Sequence, residues 1–159
     1  MPELPPALLQ AWQALGHTLG LAQSSAIYAT VSALHIIGIA LLFGGIAPVG
    51  LRFLGALPSL DVRAVVLLQR FAACGLLLAA CTGVLLISVK PADYFSSPVV
   101  WAKLGLVALA TAHALWFHWA HRATGWAQRP GGLLALSGAL SLLLWLSVIG
   151  LGRWIAFSV

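Results

Sequence analysis

From Ala26 to Val49 the chain reads AIYATVSALHIIGIALLFGGIAPV, an apolar stretch without a single charged residue and long enough to cross a bilayer. Such a stretch reads as a membrane-spanning helix. Three more stretches of the same kind follow. At about 20 apolar residues per crossing, spans are expected over 26–49, 64–88, 99–120 and 132–156. They take up most of a chain of 159 residues that is 62% hydrophobic and only 7% charged, a balance no soluble domain shows.

The expected fold is therefore all-α: an integral membrane four-helix bundle over residues 25–159, preceded by a separate segment, 1–24. Short connections favour an up-down-up-down order, in which the first and third spans are diagonal and run the same way. In residues 1–24, Leu8, Trp12, Leu15 and Leu19 recur at helical spacing opposite Gln10, Gln13 and His17. This pattern predicts a short interfacial helix, or one packed across the mouth of the bundle. The opening MPELPPALLQ has no basic n-region, so the first span is expected to be retained.

The formal net charge is +5, but the basic residues are scattered at span ends, which speaks for topology and against nucleic acid. Arg52, Arg63, Arg70, Arg122 and Arg129 fall on one side, Lys90, Lys103 and Arg153 on the other. The positive-inside rule then puts both termini outside the cytoplasm.

Local signals set the boundaries. Ser24 or Ser25 caps the first span and Pro48 marks a kink or stop near its end. Ser59 or Asp61 caps the second, whose Gly75, Ala79 and Gly83 form a small-residue stripe for close helix approach. VKPADYFSSP reads as a loop with interfacial aromatics, ending in Ser97-Pro98, a strong start for the third span. Arg129 to Gly132 form the last turn, and Ser137 and Ser141 share a face of the fourth span. Trp101, Trp116, Trp119, Trp126 and Trp154 gather at the expected membrane boundaries. Cys74 and Cys81, two turns apart on one helix, cannot form a disulfide and read as packing residues.

Two histidines lie deep. With about 1.5 Å of rise per residue, His35 is about 15 Å past Ser25 and His113 about 22 Å past Pro98. On diagonal helices they suit the two axial ligands of a b-type haem, or a metal site. Gly38, Gly44 and Gly45 would give a porphyrin room, and Lys103 and Arg153 would receive its propionates. The bland alternative is that each histidine only hydrogen-bonds a neighbouring helix. His118 and His121 fall at the far boundary and read as interfacial. Copper is less well served, because the sole methionine is Met1 and the cysteines lack a third ligand. Arg70 and Lys103 either snorkel to the headgroups or bind a quinone or another anion in a polar cavity. Signatures of hydrolytic chemistry and phosphate loops are missing from the sequence.

Two segments, LHIIGIALLFGGIAPVGLRFLG over 34–55 and GALSLLLWLSVIGLGRWIAF over 138–157, resemble an uncharacterised family of bacterial four-helix inner-membrane proteins. The likeness extends from about residue 25 onward. It rests on a histidine early in the first span, an arginine ending that span, a lysine opening the third and Gly-Arg-Trp at the end of the fourth, here His35, Arg52, Lys103 and Gly152-Arg153-Trp154. The resemblance implies a bacterial inner-membrane location. It also favours a span-three histidine placed like His118 over one placed like His113. In general form the family is similar to copper-resistance D and cytochrome b561-like membrane bundles, a likeness that transfers no function. The functional expectation is a small membrane protein of b-type haem binding or quinone-linked electron transfer. The alternative is a non-enzymatic transport or accessory subunit with a polar pocket for a small solute or metal ion. The implied partners are the lipid bilayer, a quinone and subunits of a membrane complex.

Overall fold

The computed structural model describes residues 5–121 and 132–158, and four of the helices in it are long and apolar enough to cross a membrane. Helix α1 is Pro6–Thr18, α2 Ser25–Phe53, α3 Val62–Ile87, α4 Pro91–Ser96, α5 Pro98–His121 and α6 Gly132–Ser158. Arg122, Trp126, Arg129 and the turn around Pro130, together with the side chain of His121, lie outside the described residues.

The capping signals act as expected. Ser24 accepts a hydrogen bond from the Ile27 N–H at the start of α2, and Asp61 accepts one from the Ala64 N–H at 2.6 Å at the start of α3. Pro48 does not stop α2, which continues one further turn to Phe53. Neighbouring helices re-satisfy the carbonyl that a proline leaves free inside a membrane helix. The stop comes at Gly55, whose positive φ of 81° allows the Ala56 N–H to return to the Leu51 carbonyl. VKPADYFSSP is not all loop: Pro91 at the first position starts α4. Its Phe95 packs between Trp12 and Trp101 at ring distances of 5.3 and 5.6 Å and is no lipid anchor.

Helix α2 packs against α3 and α6, and α6 against α5, in up-down-up-down order. The stripe Gly75, Ala79, Gly83 is the face of α3 that meets α2. A Cβ added at Gly75 would run into the Leu42 amide and the Gly38 carbonyl, and one at Gly38 would lie 2.7 Å from the Ala79 amide nitrogen. The helices touch backbone to backbone, the packing that small residues permit in a bilayer, where hydrophobicity cannot drive association. Val49, Phe53, Val65, Phe117 and Leu134 form a second, buried cluster near the α2–α3 turn. Outward-facing leucines such as Leu77 and Leu143 are exposed, as lipid-facing residues are.

Helix α1 lies across the end of the bundle opposite the α2–α3 turn. The Trp12 indole donates to the Val84 carbonyl at 3.1 Å, and Gly16 is buried against Ser88. Leu8, Leu15 and Leu19 remain exposed on the other side. With α4 it forms a cap, and this end is called the capped end below.

Candidate functional site

Two groups of polar side chains inside the spans stand out, at different levels. The first, nearer the capped end, is built around His35 on α2. Its Nδ1 lies 3.0 Å from the Thr82 hydroxyl of α3, over Gly83, where a Cβ would come within 3.1 Å of the ring. The Thr82 hydroxyl donates to the Leu78 carbonyl at 2.6 Å. Its oxygen therefore accepts from the imidazole, which assigns the proton to Nδ1 and leaves the Nε2 lone pair unused by that bond. Lys103 of α5 turns towards α6, its ammonium packed on the flat Gly152.

The second level is a cavity of about 540 Å³ in the other half of the bundle, walled by α2, α3, α5 and α6. Along α2 it runs from Leu42 to Phe53, a length of about 16 Å. It fills the space that α3 and α5 leave by not closing on each other. Most of the wall is aliphatic. The polar exceptions include Gln69 and Arg70 from α3, His113 and His118 from α5, and Ser137 and Ser141 from α6. Within it His113 Nε2 pairs with the Ser137 hydroxyl at 3.2 Å. Among the described residues the wall contains no carboxylate.

These two levels separate the histidines. The Phe53 and Phe117 rings are 5.5 Å apart, which sets α2 and α5 in register. His35 precedes Phe53 by 18 residues and His113 precedes Phe117 by four, so with a common direction their depths differ by about 21 Å. His118, one residue past Phe117, is farther still from His35. Axial ligands must reach opposite faces of one porphyrin. Neither His35 with His113 nor His35 with His118 does so in this arrangement. The reason is the register: Ser25 to Phe53 is about 42 Å of helix and Pro98 to Phe117 about 28 Å, so α5 begins about 14 Å deeper than α2 and His113 lies that much farther from His35 than equal starts would put it.

Other expectations about the site change as well. Gly38 and Gly45 leave no room for a porphyrin, since the α3 backbone and Ala72 fill the space above them, while Gly44 faces outward with no atom within 4 Å. Lys103 and Arg153 do not converge, because the Arg153 guanidinium sits 4.9 Å over the Phe157 ring of its own helix and points out of the bundle. Cys74 and Cys81 are free and exposed on the outer surface of α3, so they pack in no core. Among the described residues, His, Cys, Asp and Glu gather nowhere into a group of three that could hold a metal ion. Arg70, read as snorkelling or binding, lines the cavity with its side chain exposed.

No sequence motif marks Thr82 as the partner of His35, and Trp145, a wall of the cavity, is unmarked among the other tryptophans. The one signal for Trp145 is its position, following Ser137 and Ser141 at intervals of four on their shared face. No family model, no curated protein and no solved structure matches the chain.

Proposed function

We propose that the protein is a membrane-embedded binding protein for a lipophilic quinone, serving as an accessory or electron-transfer subunit in a bacterial inner membrane. The observation that supports this reading is the cavity. Its volume falls in the range of small-molecule sites, about 300–1,000 Å³. It lies at hydrocarbon depth, between two helices that leave a lateral gap, where an isoprenoid-tailed molecule resides. Its walls are aliphatic with a few hydrogen-bonding groups. Among the described residues the wall offers no carboxylate to attract a cationic solute and no group of three ligands to hold a bare metal ion.

Arg52, Arg63 and Arg70 lie at the cavity's end of the bundle, and Lys90, Lys103 and Arg153 towards the capped end. With Arg122 and Arg129 counted from the sequence, the positive-inside rule assigns the cavity to the cytoplasmic half and both termini to the periplasm. Reporter fusions at either terminus test that orientation.

The binding test uses protein in nanodiscs titrated with decylubiquinone, read by quenching of intrinsic tryptophan fluorescence. Saturable binding is expected, weakened at least tenfold by the cavity-filling substitution Ser141→Phe. Unsaturable partitioning, equal in the variant, refutes the reading. A haem absorption band in protein purified from haem-sufficient cells would instead assign the cavity to a porphyrin.

A further inference from the structure

We infer that the His113–Ser137 pair recognises the head of the bound molecule, giving to one of its carbonyl oxygens the hydrogen-bond donor that the pair itself leaves unspent. The inference rests on the quinone-binding reading and names the group that orients the molecule in the cavity.

Both side chains line the cavity, His113 from α5 and Ser137 from α6, and both are half-buried. His113 Nε2 and the Ser137 hydroxyl are 3.2 Å apart. A neutral imidazole carries one N–H and a hydroxyl one O–H, and the bond between them uses one of these two protons. If Ser137 donates, the His113 Nδ1–H is left over. If His113 donates, the Ser137 O–H is left over. Either tautomer therefore leaves one donor, and a protonated ring would leave two. Among the described residues neither side chain has a further hydrogen-bond partner. The one buried side-chain nitrogen or oxygen without a partner among them is Trp145 Nε1, so the unbonded Nδ1 of His113 keeps accessible surface.

The other histidine level makes the contrast. There the His35 Nδ1–H goes to the Thr82 hydroxyl and the Thr82 proton goes on to the Leu78 carbonyl, so the chain of donors ends on the backbone. Thr18, Thr30, Ser88 and Ser96 likewise return their protons to carbonyls three or four residues earlier. Ser137 turns instead to the neighbouring helix, and its chain of donors ends on no protein atom. A donor without an acceptor is destabilising in hydrocarbon, and a bound acceptor relieves it.

The wall indicates what that acceptor is. It is mostly aliphatic, and the leftover donor is neutral, which suits the neutral carbonyl of a quinone. A fatty-acid carboxylate offers the same acceptor atom with a charge, and the charged residue of the wall, Arg70 of α3, would compete with the pair for it.

The test uses the full chain in nanodiscs, with decylubiquinone and oleate as separate probes. The infrared carbonyl band of bound decylubiquinone should lie at lower wavenumber than that of decylubiquinone in empty nanodiscs, because a donor weakens the C=O bond. The double variant His113→Phe/Ser137→Ala removes both protons. It should abolish this downshift and raise the Kd about two- to tenfold. His113→Gln keeps an N–H donor and should keep the downshift. In the unmodified protein the His113 ring-nitrogen resonances should move on adding decylubiquinone, a readout that stands even if the double variant does not fold. Saturable binding with no downshift, with unmoved His113 resonances, or with band and Kd unchanged in the double variant overturns the inference and leaves the cavity as a quinone site. Saturable binding of oleate with mere partitioning of decylubiquinone overturns the quinone-binding reading itself.

Discussion

The α2–α3 seam gives the sharpest stability prediction, through the substitution Gly75→Ala. The new methyl group would meet the Leu42 amide nitrogen, with the Gly38 carbonyl oxygen at 2.7 Å and the Leu41 carbonyl carbon at 2.9 Å. All three are backbone atoms and cannot rotate away. Restoring ordinary contact near 3.5 Å requires the helices to part by roughly 1 Å, which forfeits about a quarter to a half of each dispersion contact. If the seam holds only as many contacts as one buried leucine, about 40 pairs at about 0.15 kcal/mol, losing a third removes about 2 kcal/mol. That agrees with the usual range of about 1–3 kcal/mol for overpacking. Alanine also gains helix propensity over glycine, up to about 1 kcal/mol in water. The control Gly44→Ala on α2 gains the same amount and meets no atom within 4 Å. Reversible unfolding in mixed micelles, followed by far-ultraviolet circular dichroism, should therefore place Gly75→Ala about 2 kcal/mol below Gly44→Ala. A difference within about 0.5 kcal/mol would refute the claim that this seam is closed backbone to backbone.

Thr82→Val takes the hydroxyl acceptor from His35 Nδ1 and should destabilise the bundle by about 1 kcal/mol in the same assay. The imidazole nitrogen shifts should report loss of the fixed Nδ1–H tautomer, and an unaltered spectrum would contradict the assignment. Trp12→Phe removes the bond to the Val84 carbonyl while keeping the ring against Phe95. Amide exchange in α1 should accelerate severalfold with α2 and α3 unaffected; equal exchange would mean that the cap does not depend on that bond. Tyr94 lies in α4, outside the spans, where burial first and then the charge and hydrogen bond of the Tyr28 hydroxyl push its phenol above the ordinary range. A raised acid favours the neutral form in the folded state. Its contribution is present in full below the unfolded pKa, about 10, and is lost as pH rises through the folded value. The cap should loosen above that point, and Tyr94→Phe should abolish the pH dependence of the α1 protection factors, which are corrected for the intrinsic base-catalysed exchange rate.

The spans were legible because membrane insertion is decided by local composition. A predominantly apolar run of this length has no other stable conformation in lipid, so α2, α3, α5 and α6 appear within a few residues of their expected limits. The caps at Ser24 and Asp61 and the stripe Gly75, Ala79, Gly83 were equally visible, since each acts through atoms at most a few residues away or through repeated spacing. Helix α4 escaped notice because six residues are too few for periodicity to declare itself.

The candidate site divides along the same line. Which residues are polar at depth, His35, Lys103, Arg70 and His113, follows from counting residues along each helix. Which of them meet does not, because a helix's rotation and its sliding against neighbours are set by side-chain packing between segments distant in sequence. The tilted contact of Phe53 with Phe117 and the deeper start of α5 put His113 about 21 Å from His35 in depth. The close seam of α2 on α3 uses up the glycines that read as cofactor space, and the gap between α3 and α5 opens the cavity elsewhere. Composition thus dictates a four-helix membrane bundle with buried polar groups. Packing alone sorts those groups into a hydrogen-bonded His35 level and a separate cavity beside Trp145.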